Sequence, residues 1–507
     1  MSSPAIPRRA QRLAELADRR FDLLVIGGGI TGAGIARDAA RRGLAVALVE
    51  RDDFASGTSS RSSRLIHGGV RYLEHGYLHL VFEAGRERRR LLDLAPHLVR
   101  PLRFTWPVYR GARVPRWKLA AGLTLYDALS LFRNVGRHRR LAPDDVAALE
   151  PALDRRDLTG GASYWDAATD DSRLTLANAI DAAHASATVL NHVEVTALTF
   201  GSANGPVDGA IVRDRIGGQE LRVQARVVLN AAGPWTDEIS RMEDGTARPA
   251  VRGTKGVHIA VPADRVGNKA AVTMLSPDDG RVMFTLPSGA HTIVGTTDTA
   301  TTEHPHEVRA ARADVRYLLA ACNRFFPAAR LTDDDVVSAW AGIRPLVASG
   351  NGGDPSSASR EHAITHSPRG VLTITGGKLT TYRAMAEQCV DEAVRHLGVR
   401  TRPCDTHRVP LPGARPPARP EDRQLLAGLP WRDQDVLQAV HEEMAESVSD
   451  VLIRRTTLAF ETRDYGRTIA PYVASLMAKH LKWTDAGERT SVEEFIRETD
   501  RIFSISP

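Results

Sequence analysis

Cysteines, aromatic residues and long apolar runs are all scarce in this sequence of 507 residues. The three cysteines, Cys322, Cys389 and Cys404, are far apart and form no CxxC pair. No disulfide framework, metal site or iron–sulfur cluster is therefore predicted, and a reducing compartment is favoured. No run of about 20 apolar residues occurs, so no membrane-spanning helix is predicted. Residues 1–20 are rich in arginine and lack the apolar core of a secretory signal, and we interpret them as an N-terminal extension.

Aromatic residues make up only 6% of the chain, and its basic residues are interspersed with acidic ones. Nucleic-acid binders usually concentrate basic residues on one face with aromatic residues among them, so we expect no nucleic-acid partner. Lys and Arg together (67) exceed Asp and Glu (61) by 6, a small surplus that leaves anionic small molecules and lipid headgroups as candidate partners. The composition is that of an ordinary folded protein, and the length suggests several domains.

A glycine-rich turn follows the first predicted strand, residues 21–26 (FDLLVI), and precedes a predicted helix. Its glycines have the spacing GxGxxG: Gly27, Gly29 and Gly32. In such a turn the first glycine permits a tight bend, the second lets the backbone approach a diphosphate, and the third lets helix and strand pack closely. A second predicted strand, residues 45–49, ends at Glu50, whose carboxylate can accept hydrogen bonds from a ribose. The pattern predicts a dinucleotide site but does not separate FAD from NAD.

Residues 56–75, SGTSSRSSRLIHGGVRYLEH, offer many donors to phosphate or flavin oxygens. This string resembles the segment that follows the dinucleotide fold in FAD-dependent glycerol-3-phosphate dehydrogenases. The resemblance covers nearly the whole chain and continues through YWDAATDDSRL (164–174), NAAGPW (230–235), KGVHIAV (255–261), GTTD (295–298), AGIRPL (341–346), SREH (359–362) and GGKLTTYR (376–383). On these motifs the chain is identified as a member of that family.

The strand and helix patterns, read together with the resemblance, predict an α/β protein with three parts. A discontinuous Rossmann-like FAD-binding domain is expected in residues 21–95, 161–250 and 346–400, and an antiparallel-sheet substrate or cap domain in 96–160 and 251–345. Six prolines mark residues 401–421 as a linker to a C-terminal all-α domain in 422–507. In that domain an amphipathic helix is predicted from apolar residues at near-helical spacing: Val436, Val440, Met444, Val448, Val451 and Leu452.

The resemblance implies oxidation of sn-glycerol 3-phosphate to dihydroxyacetone phosphate, with the C2 hydrogen leaving as a hydride toward flavin N5. Matching the motifs gives these candidates for binding the substrate phosphate: Arg71, Tyr72, Arg344 and Lys378. His258 is the candidate base because an imidazole can take a proton near neutral pH, and Arg344 is also a candidate for stabilising the developing alkoxide. A histidine of purely structural role is the alternative for His258.

The resemblance also implies the residues that bind FAD. They are Gly27, Gly29, Gly32, Glu50, Thr58, Ser59, Ser63, Leu65, Gly233, Gly377, Lys378, Leu379 and Thr380. A helix expected to begin near residues 377–380 directs its positive end toward the flavin pyrimidine, where reduction leaves negative charge. His67 is interpreted as packing near the flavin.

The cysteines do not have the spacing of iron–sulfur cluster ligands. Within the family, the resemblance is therefore expected to be to the aerobic enzymes, which pass electrons to a membrane quinone. We therefore expect a cytoplasmic protein bound peripherally to the anionic inner face of the cell membrane. Residues 117–132, flanked by arginines, are the candidate membrane contact, and a core helix of the cap domain is the alternative. Whether the protein is a homodimer stays open.

Two other functions also stay open from the sequence. One is an oxygen-dependent glycerol-3-phosphate oxidase on the same fold. The other is a non-catalytic dinucleotide-binding redox module, which needs the glycine turn and Glu50 but has no need for Arg71, Arg344 and Lys378 together.

Overall fold

A computed structural model describes residues 6–130, 134–245, 249–276, 279–347, 361–415, 417 and 422–507. Its strands are β1 (Arg20–Ile26), β2 (Val46–Val49), β3 (Leu65–Ile66), β4 (Arg100–Tyr109), β5 (Arg139–Leu141), β6 (Leu158–Ala168), β7 (Thr188–Leu190), β8 (Val193–Phe200), β9 (Val207–Asp214), β10 (Glu220–Asn230), β11 (Val251–Pro262), β12 (Ala271–Leu275), β13 (Val282–Ser288), β14 (His291–Gly295), β15 (Thr299–Ala300), β16 (Ser338–Val347), β17 (His362–His366) and β18 (Leu372–Gly376).

The α-helices of the described residues are α1 (Arg9–Asp18), α2 (Ile30–Arg41), α3 (Leu78–Leu94), α4 (Arg116–Leu129), α5 (Pro143–Leu149), α6 (Asp171–His184), α7 (Thr236–Glu243), α8 (Ala263–Val266), α9 (Arg312–Phe325), α10 (Tyr382–Leu397), α11 (Asp433–His441), α12 (Leu458–Glu461), α13 (Ala470–Leu481) and α14 (Asp485–Phe503). Short 3₁₀ helices include Thr58–Ser60, Val70–His75, Gly233–Trp235 and Leu379–Thr381, and a π-helix spans Asp450–Arg455. No described helix has both the length and the apolar character needed to cross a bilayer.

The first sheet has the order β17-β18-β10-β1-β2-β7, in which the strands from β18 to β7 are parallel and the edge strand β17 is antiparallel to β18. Strands β9 and β8 extend the sheet from β10 in antiparallel pairing. Its central strand β1 is buried on both faces, as expected for a strand covered by helices on both sides. Helices α2, α6 and α10 pack against this sheet and against one another. The glycine turn lies at the carboxyl end of β1, where open α/β sheets bind their ligands.

The second sheet is mainly antiparallel and has the order β15-β11-β14-β13-β12-β4-β6-β3, with β16 pairing with β11 and β5 with β6. The mixed α/β fold class is confirmed, and it combines an FAD-binding fold with C-terminal helices. The structure differs from the predicted division of the chain at β6. Most of β6 falls within residues 161–250, which were predicted to belong to the FAD-binding domain, but β6 pairs over its full length with β4 of the second sheet.

The N-terminal residues contain a helix that the sequence reading did not predict. Helix α1 buries Leu16 against Phe21 and Leu24 of β1. Arg9 of the same helix forms an ion pair with Asp214 at 2.6 Å. Part of the expected extension is therefore folded onto the first sheet.

The prediction of one amphipathic helix through residues 436–452 is wrong. Helix α11 ends at His441, Met444 has a positive φ of 59°, and a π-helix begins at Asp450. The left-handed backbone at Met444 interrupts any continuous helix. The apolar side chains are nevertheless core residues, since Val436, Val448, Val451 and Leu452 are fully buried.

A buried network of charges joins the C-terminal helices to the loop after β2. Asp53 accepts hydrogen bonds from Arg454 Nε at 2.6 Å and from Arg455 Nη2 at 3.0 Å. His192, beside this loop, lies with its Nε2 2.9 Å from Asp450 Oδ2. The loop that carries Glu50 is thus held by residues from the far end of the chain.

Candidate active site

A cavity of about 410 Å³ runs from the glycine turn after β1 to strands β11 and β16 of the second sheet. Among the predicted site residues, those that line it are Gly27, Gly29, Glu50, Thr58, Ser59, Ser63, Leu65, Tyr72, Gly233, His258, Arg344, Gly377, Lys378 and Leu379. Gly32 and Thr380 lie directly behind this lining, as their contacts below show. The side chain of Arg71 and residues 359 and 360 of the SREH motif lie outside the described part of the chain.

The glycine turn brings backbone atoms so close together that side chains are excluded. Gly27 has a φ of +107°, and a Cβ added there would lie 2.7 Å from the carbonyl oxygen of Ala231. A Cβ on Gly32 would lie 1.9 Å from the carbonyl oxygen of Gly27. This close packing leaves the amino end of α2 open toward the cavity, where its backbone N–H groups can bind a diphosphate.

The glycine turn and the amino end of α2 together form a cradle for a diphosphate. Glu50 lies at one side of this cradle. Its carboxylate accepts hydrogen bonds from the backbone N–H of Gly28 at 2.6 Å and of Asp52 at 2.9 Å. Burial, reinforced by the charge of Asp52, raises the pKa of Glu50 above its ordinary value. The side chain is held at the end of β2, the position from which a carboxylate can bind a ribose.

Residues 56–75, the hydroxyl-rich segment after β2, lie against both the cradle and the second sheet. Ser59 Oγ accepts a hydrogen bond from the N–H of Ile30, in the first turn of α2, at 3.0 Å. Thr58 donates its hydroxyl to the carbonyl oxygen of Ile343 in β16 at 2.7 Å. The segment therefore connects the two sheets along the cavity wall.

His258 projects from β11 and is 2% exposed. Its Nε2 lies 2.8 Å from Ser63 Oγ, and its ring stacks on Trp340. Burial, followed by the charges of Arg344 and Arg64, lowers the pKa of His258 to about 3. The imidazole is therefore uncharged at neutral pH.

Arg344 projects from β16, and its guanidinium lies over Gly256, where an added Cβ would come within 2.5 Å of Nη2. It forms an ion pair with Asp298 Oδ1 at 3.0 Å and donates to Thr296 Oγ1 at 3.0 Å. The Arg344 side chain is 23% exposed, so part of it faces the cavity. These contacts fix the plane of the guanidinium.

Lys378 and Tyr72 meet at another part of the wall. The Lys378 ammonium nitrogen lies 3.8 Å from the centre of the Tyr72 ring, a cation–π contact. The turn that carries Lys378 is joined to the hydroxyl-rich segment, since Thr380 Oγ1 accepts from the N–H of His67 at 3.1 Å and donates to its carbonyl oxygen at 3.0 Å. Helix α10 begins after this turn, at Tyr382.

Several residues in the cavity wall were not singled out from the sequence. They are Tyr164, Trp235, Thr273, Arg281 and Asp298. Arg61, which the sequence marked as one of the donors in residues 56–75, also lines the wall. Tyr164 stands in the YWDAATDDSRL motif, Trp235 in NAAGPW and Asp298 in GTTD, so motif membership was a signal for these three. Neither Arg281 nor Thr273 lies in any motif, and only the fold brings them to the cavity.

These features fit a flavin dinucleotide. The glycine cradle, which any Cβ would fill, matches a diphosphate, and Glu50 matches a ribose. The cavity continues from there to a neutral imidazole and two cationic side chains, His258, Arg344 and Lys378. Fold and site together define an oxidoreductase of the FAD-dependent class, and the comparisons with known proteins agree.

The sequence model described as "FAD dependent oxidoreductase" matches residues 22–383, and that described as "C-terminal domain of alpha-glycerophosphate oxidase" matches residues 414–488. Glycerol-3-phosphate dehydrogenase of Synechocystis is 36% identical, with 93% of this chain and 94% of that protein covered. Glycerol-3-phosphate dehydrogenase 2 of Mycobacterium bovis is 39% identical, with coverage of 94% and 88%. The chain belongs to the family of FAD-dependent glycerol-3-phosphate dehydrogenases, and its cofactor is FAD.

Solved structures show the same fold. The glycerol-3-phosphate dehydrogenase of Bacillus halodurans complexed with FAD has a TM-score of 0.79 and 30% identity, with 98% of each chain covered. The L-alpha-glycerophosphate oxidase of Mycoplasma pneumoniae with FAD bound has a TM-score of 0.58 and 17% identity, with 78% of this chain and all of that chain covered, and shares the fold.

Proposed function

We propose that the protein oxidises sn-glycerol 3-phosphate to dihydroxyacetone phosphate at its FAD and passes the electrons to a membrane quinone. The observation that carries the proposal is a single cavity that joins a dinucleotide cradle to a buried histidine, His258, and to the cationic side chains of Arg344 and Lys378. The names of the Synechocystis and Mycobacterium relatives, both glycerol-3-phosphate dehydrogenases, support the substrate. When bound, FAD supplies the acceptor for the hydride that leaves C2.

The cationic side chains of the cavity bind the substrate phosphate in this proposal. Arg344, with its plane fixed by Asp298 and Thr296, can offer two parallel N–H donors to a phosphate dianion or to the developing alkoxide. Lys378 and Tyr72 add an ammonium group and a hydroxyl donor. We retain Arg71 in the proposed set on the strength of its motif.

Proton removal from the C2 hydroxyl falls to His258. Ser63 and His258 both line the cavity, so a substrate hydroxyl can reach Nε2 directly or through Ser63 Oγ. The lowered pKa of His258 keeps the ring uncharged at neutral pH, with one ring nitrogen unprotonated. A bound phosphate dianion offsets the charges of Arg344 and Arg64, which raises the basicity of the ring when substrate is present.

Delivery to a quinone requires contact with the membrane surface. Large exposed apolar side chains are concentrated at the start of α3 and along α4, which pack together: Tyr77, Leu78, Phe82, Trp117 and Leu125. Arg110, Arg113 and Lys118 are exposed beside them, as an anionic surface would require. We propose that this face binds the inner side of the cell membrane peripherally.

Only one side of α4 is available for such a contact. On one side of the helix Leu119, Leu123 and Tyr126 are buried in the core. On the other side Trp117 and Leu125 are exposed. Residues 131 and 132, at the end of the predicted contact segment, lie outside the described residues. Trp117→Glu with Leu125→Glu should therefore reduce binding to anionic liposomes without unfolding the protein, and unchanged binding would remove this face from the proposal.

The test of the proposed reaction is anaerobic addition of sn-glycerol 3-phosphate to the yellow protein. Bleaching of the flavin absorption, with dihydroxyacetone phosphate formed in equal amount, is the expected result. An unchanged spectrum would contradict the reaction and would favour the non-catalytic redox module.

Oxygen is the second candidate acceptor, because the C-terminal helices match a model named for an oxidase. Rapid mixing of the reduced protein with a ubiquinone or menaquinone analogue, and separately with oxygen, distinguishes the two. We expect fast reoxidation by the quinone and slow reoxidation by oxygen; the reverse order would establish the oxidase.

A further inference from the structure

Arg61 is a buried cation that has no partner among the described residues. Its residue is 6% exposed, and its guanidinium makes no hydrogen bond or ion pair with any residue in the described ranges. Burying a charge is costly unless it is paired. Because Arg61 also lines the cavity, this unpaired cation is available to a bound anion.

The backbone fixes Arg61 next to the diphosphate cradle. Arg61 directly follows the 3₁₀ helix Thr58–Ser60, and its N–H donates to the carbonyl oxygen of Thr58 at 3.1 Å. Ser59 of that helix binds the first turn of α2. On the other side, a Cβ added to Gly342 of β16 would lie 3.0 Å from the Cβ of Arg61, so the chain is tightly packed there.

The charged groups around Arg61 leave its charge uncompensated. Burial, followed by the charge of Arg501, lowers the pKa of Arg61 to about 9. The acidic groups that oppose this effect bind other arginines: Glu498 pairs with Arg454 at 2.7 Å, and Asp52 pairs with Arg215. An anion is the missing counterpart.

We propose that Arg61 binds the diphosphate of FAD through its guanidinium, as a second contact beside the amino end of α2. The proposal rests on FAD as the cofactor and on the cradle as its diphosphate site. A planar guanidinium suits phosphate oxygens because it offers two parallel donors in a fixed geometry.

The test uses the holoenzyme and reads the cofactor, not the reaction. Arg61→Gln should weaken FAD binding about 10- to 100-fold, measured by flavin fluorescence released on serial dilution, because charge-assisted hydrogen bonds are lost. The ³¹P resonances of the bound diphosphate should shift, while the visible flavin spectrum stays as in the wild type. Arg61→Lys, which keeps the charge but loses the fork, should show an intermediate affinity and also shifted ³¹P resonances.

Arg215→Gln is the matched control, since it removes the same charge from an exposed side chain beside Asp52. It should leave both the affinity and the ³¹P spectrum unchanged. Wild-type affinity and ³¹P spectra in both Arg61 variants would overturn the proposal, and so would equal effects in the Arg215 control. Failure of the proposed reaction would appear separately, as yellow protein with wild-type FAD affinity that the substrate does not bleach.

Discussion

The imidazole of His258 stacks on the indole of Trp340, with ring centroids 5.6 Å apart and an angle of 15° between the planes. The two residues face each other in the register of β11 and β16. Trp340 in turn meets Phe460 of α12 edge to face at 5.1 Å. The proposed base is thus oriented by a stack that begins in the C-terminal helices.

Replacing the base should slow the reaction without removing the cofactor. We expect His258→Asn to lower the rate of anaerobic flavin reduction about 100-fold or more, because general base catalysis contributes about that much. FAD content should match the wild type. His366→Asn is the control, since His366 is exposed and pairs with Glu392 at the surface. Reduction at the wild-type rate in His258→Asn would remove His258 from the mechanism.

Replacing Arg344 should affect substrate binding and turnover together. Arg344→Lys keeps a positive charge opposite Asp298 but loses the planar fork. We expect kcat/KM for sn-glycerol 3-phosphate to fall about 10-fold or more, as the loss of a charge-assisted hydrogen bond predicts. Steady-state kinetics with a quinone analogue measure this. If FAD content falls while kcat/KM per bound flavin stays constant, Arg344 has a structural role only.

A methyl group in the glycine cradle should expel the cofactor. In Gly32→Ala the new Cβ would lie 1.9 Å from the carbonyl oxygen of Gly27, so the turn must open. We expect purified protein with little or no yellow colour. Gly122→Ala is the control, because a Cβ on this α4 residue meets nothing within 4 Å and alanine favours helix. Wild-type FAD content in Gly32→Ala would contradict the geometry of the cradle.

The pairing of His192 with Asp450 should make stability depend on pH. Burial alone would lower the pKa of His192, but the carboxylate of Asp450 outweighs it and raises that pKa above the ordinary value of about 6.5. A raised folded-state pKa stabilises the protein below the ordinary pKa, and this contribution is lost as pH rises through the raised value.

We therefore expect the free energy of unfolding in urea to fall more between about pH 6 and about pH 9 in the wild type than in His192→Gln. The difference between the two proteins isolates the histidine from other titrating groups. Equal falls would show that the His192–Asp450 pair does not contribute.

The dinucleotide cradle could be predicted from the sequence because its parts are close in the chain. Gly27, Gly32 and Glu50 lie within two strands and one helix, so local spacing fixes their relative positions. The contact of Ser63 with His258 joins residues 195 positions apart, and only resemblance of motifs placed both in one site.

Other features depend on packing that spacing does not reveal. Neighbouring elements determine which side of α4 is buried. The sequence of this mainly apolar segment therefore could not show that Leu123 lies in the core while Trp117 is 73% exposed. Helix α1 is rich in charged residues, and its role became evident only when Leu16 was seen buried on the first sheet. The sequence marks Arg61 only as one of several donors in residues 56–75, because its burial beside the cavity depends on packing.

Hydride transfer from C2 can be measured directly by rapid anaerobic mixing with sn-glycerol 3-phosphate that carries deuterium at C2. The account predicts that the flavin bleaches and that the deuterated substrate bleaches it more slowly than the unlabelled one at saturating concentration. Bleaching at the same rate with both substrates, or slower bleaching only when deuterium is placed at C1 or C3, would contradict it.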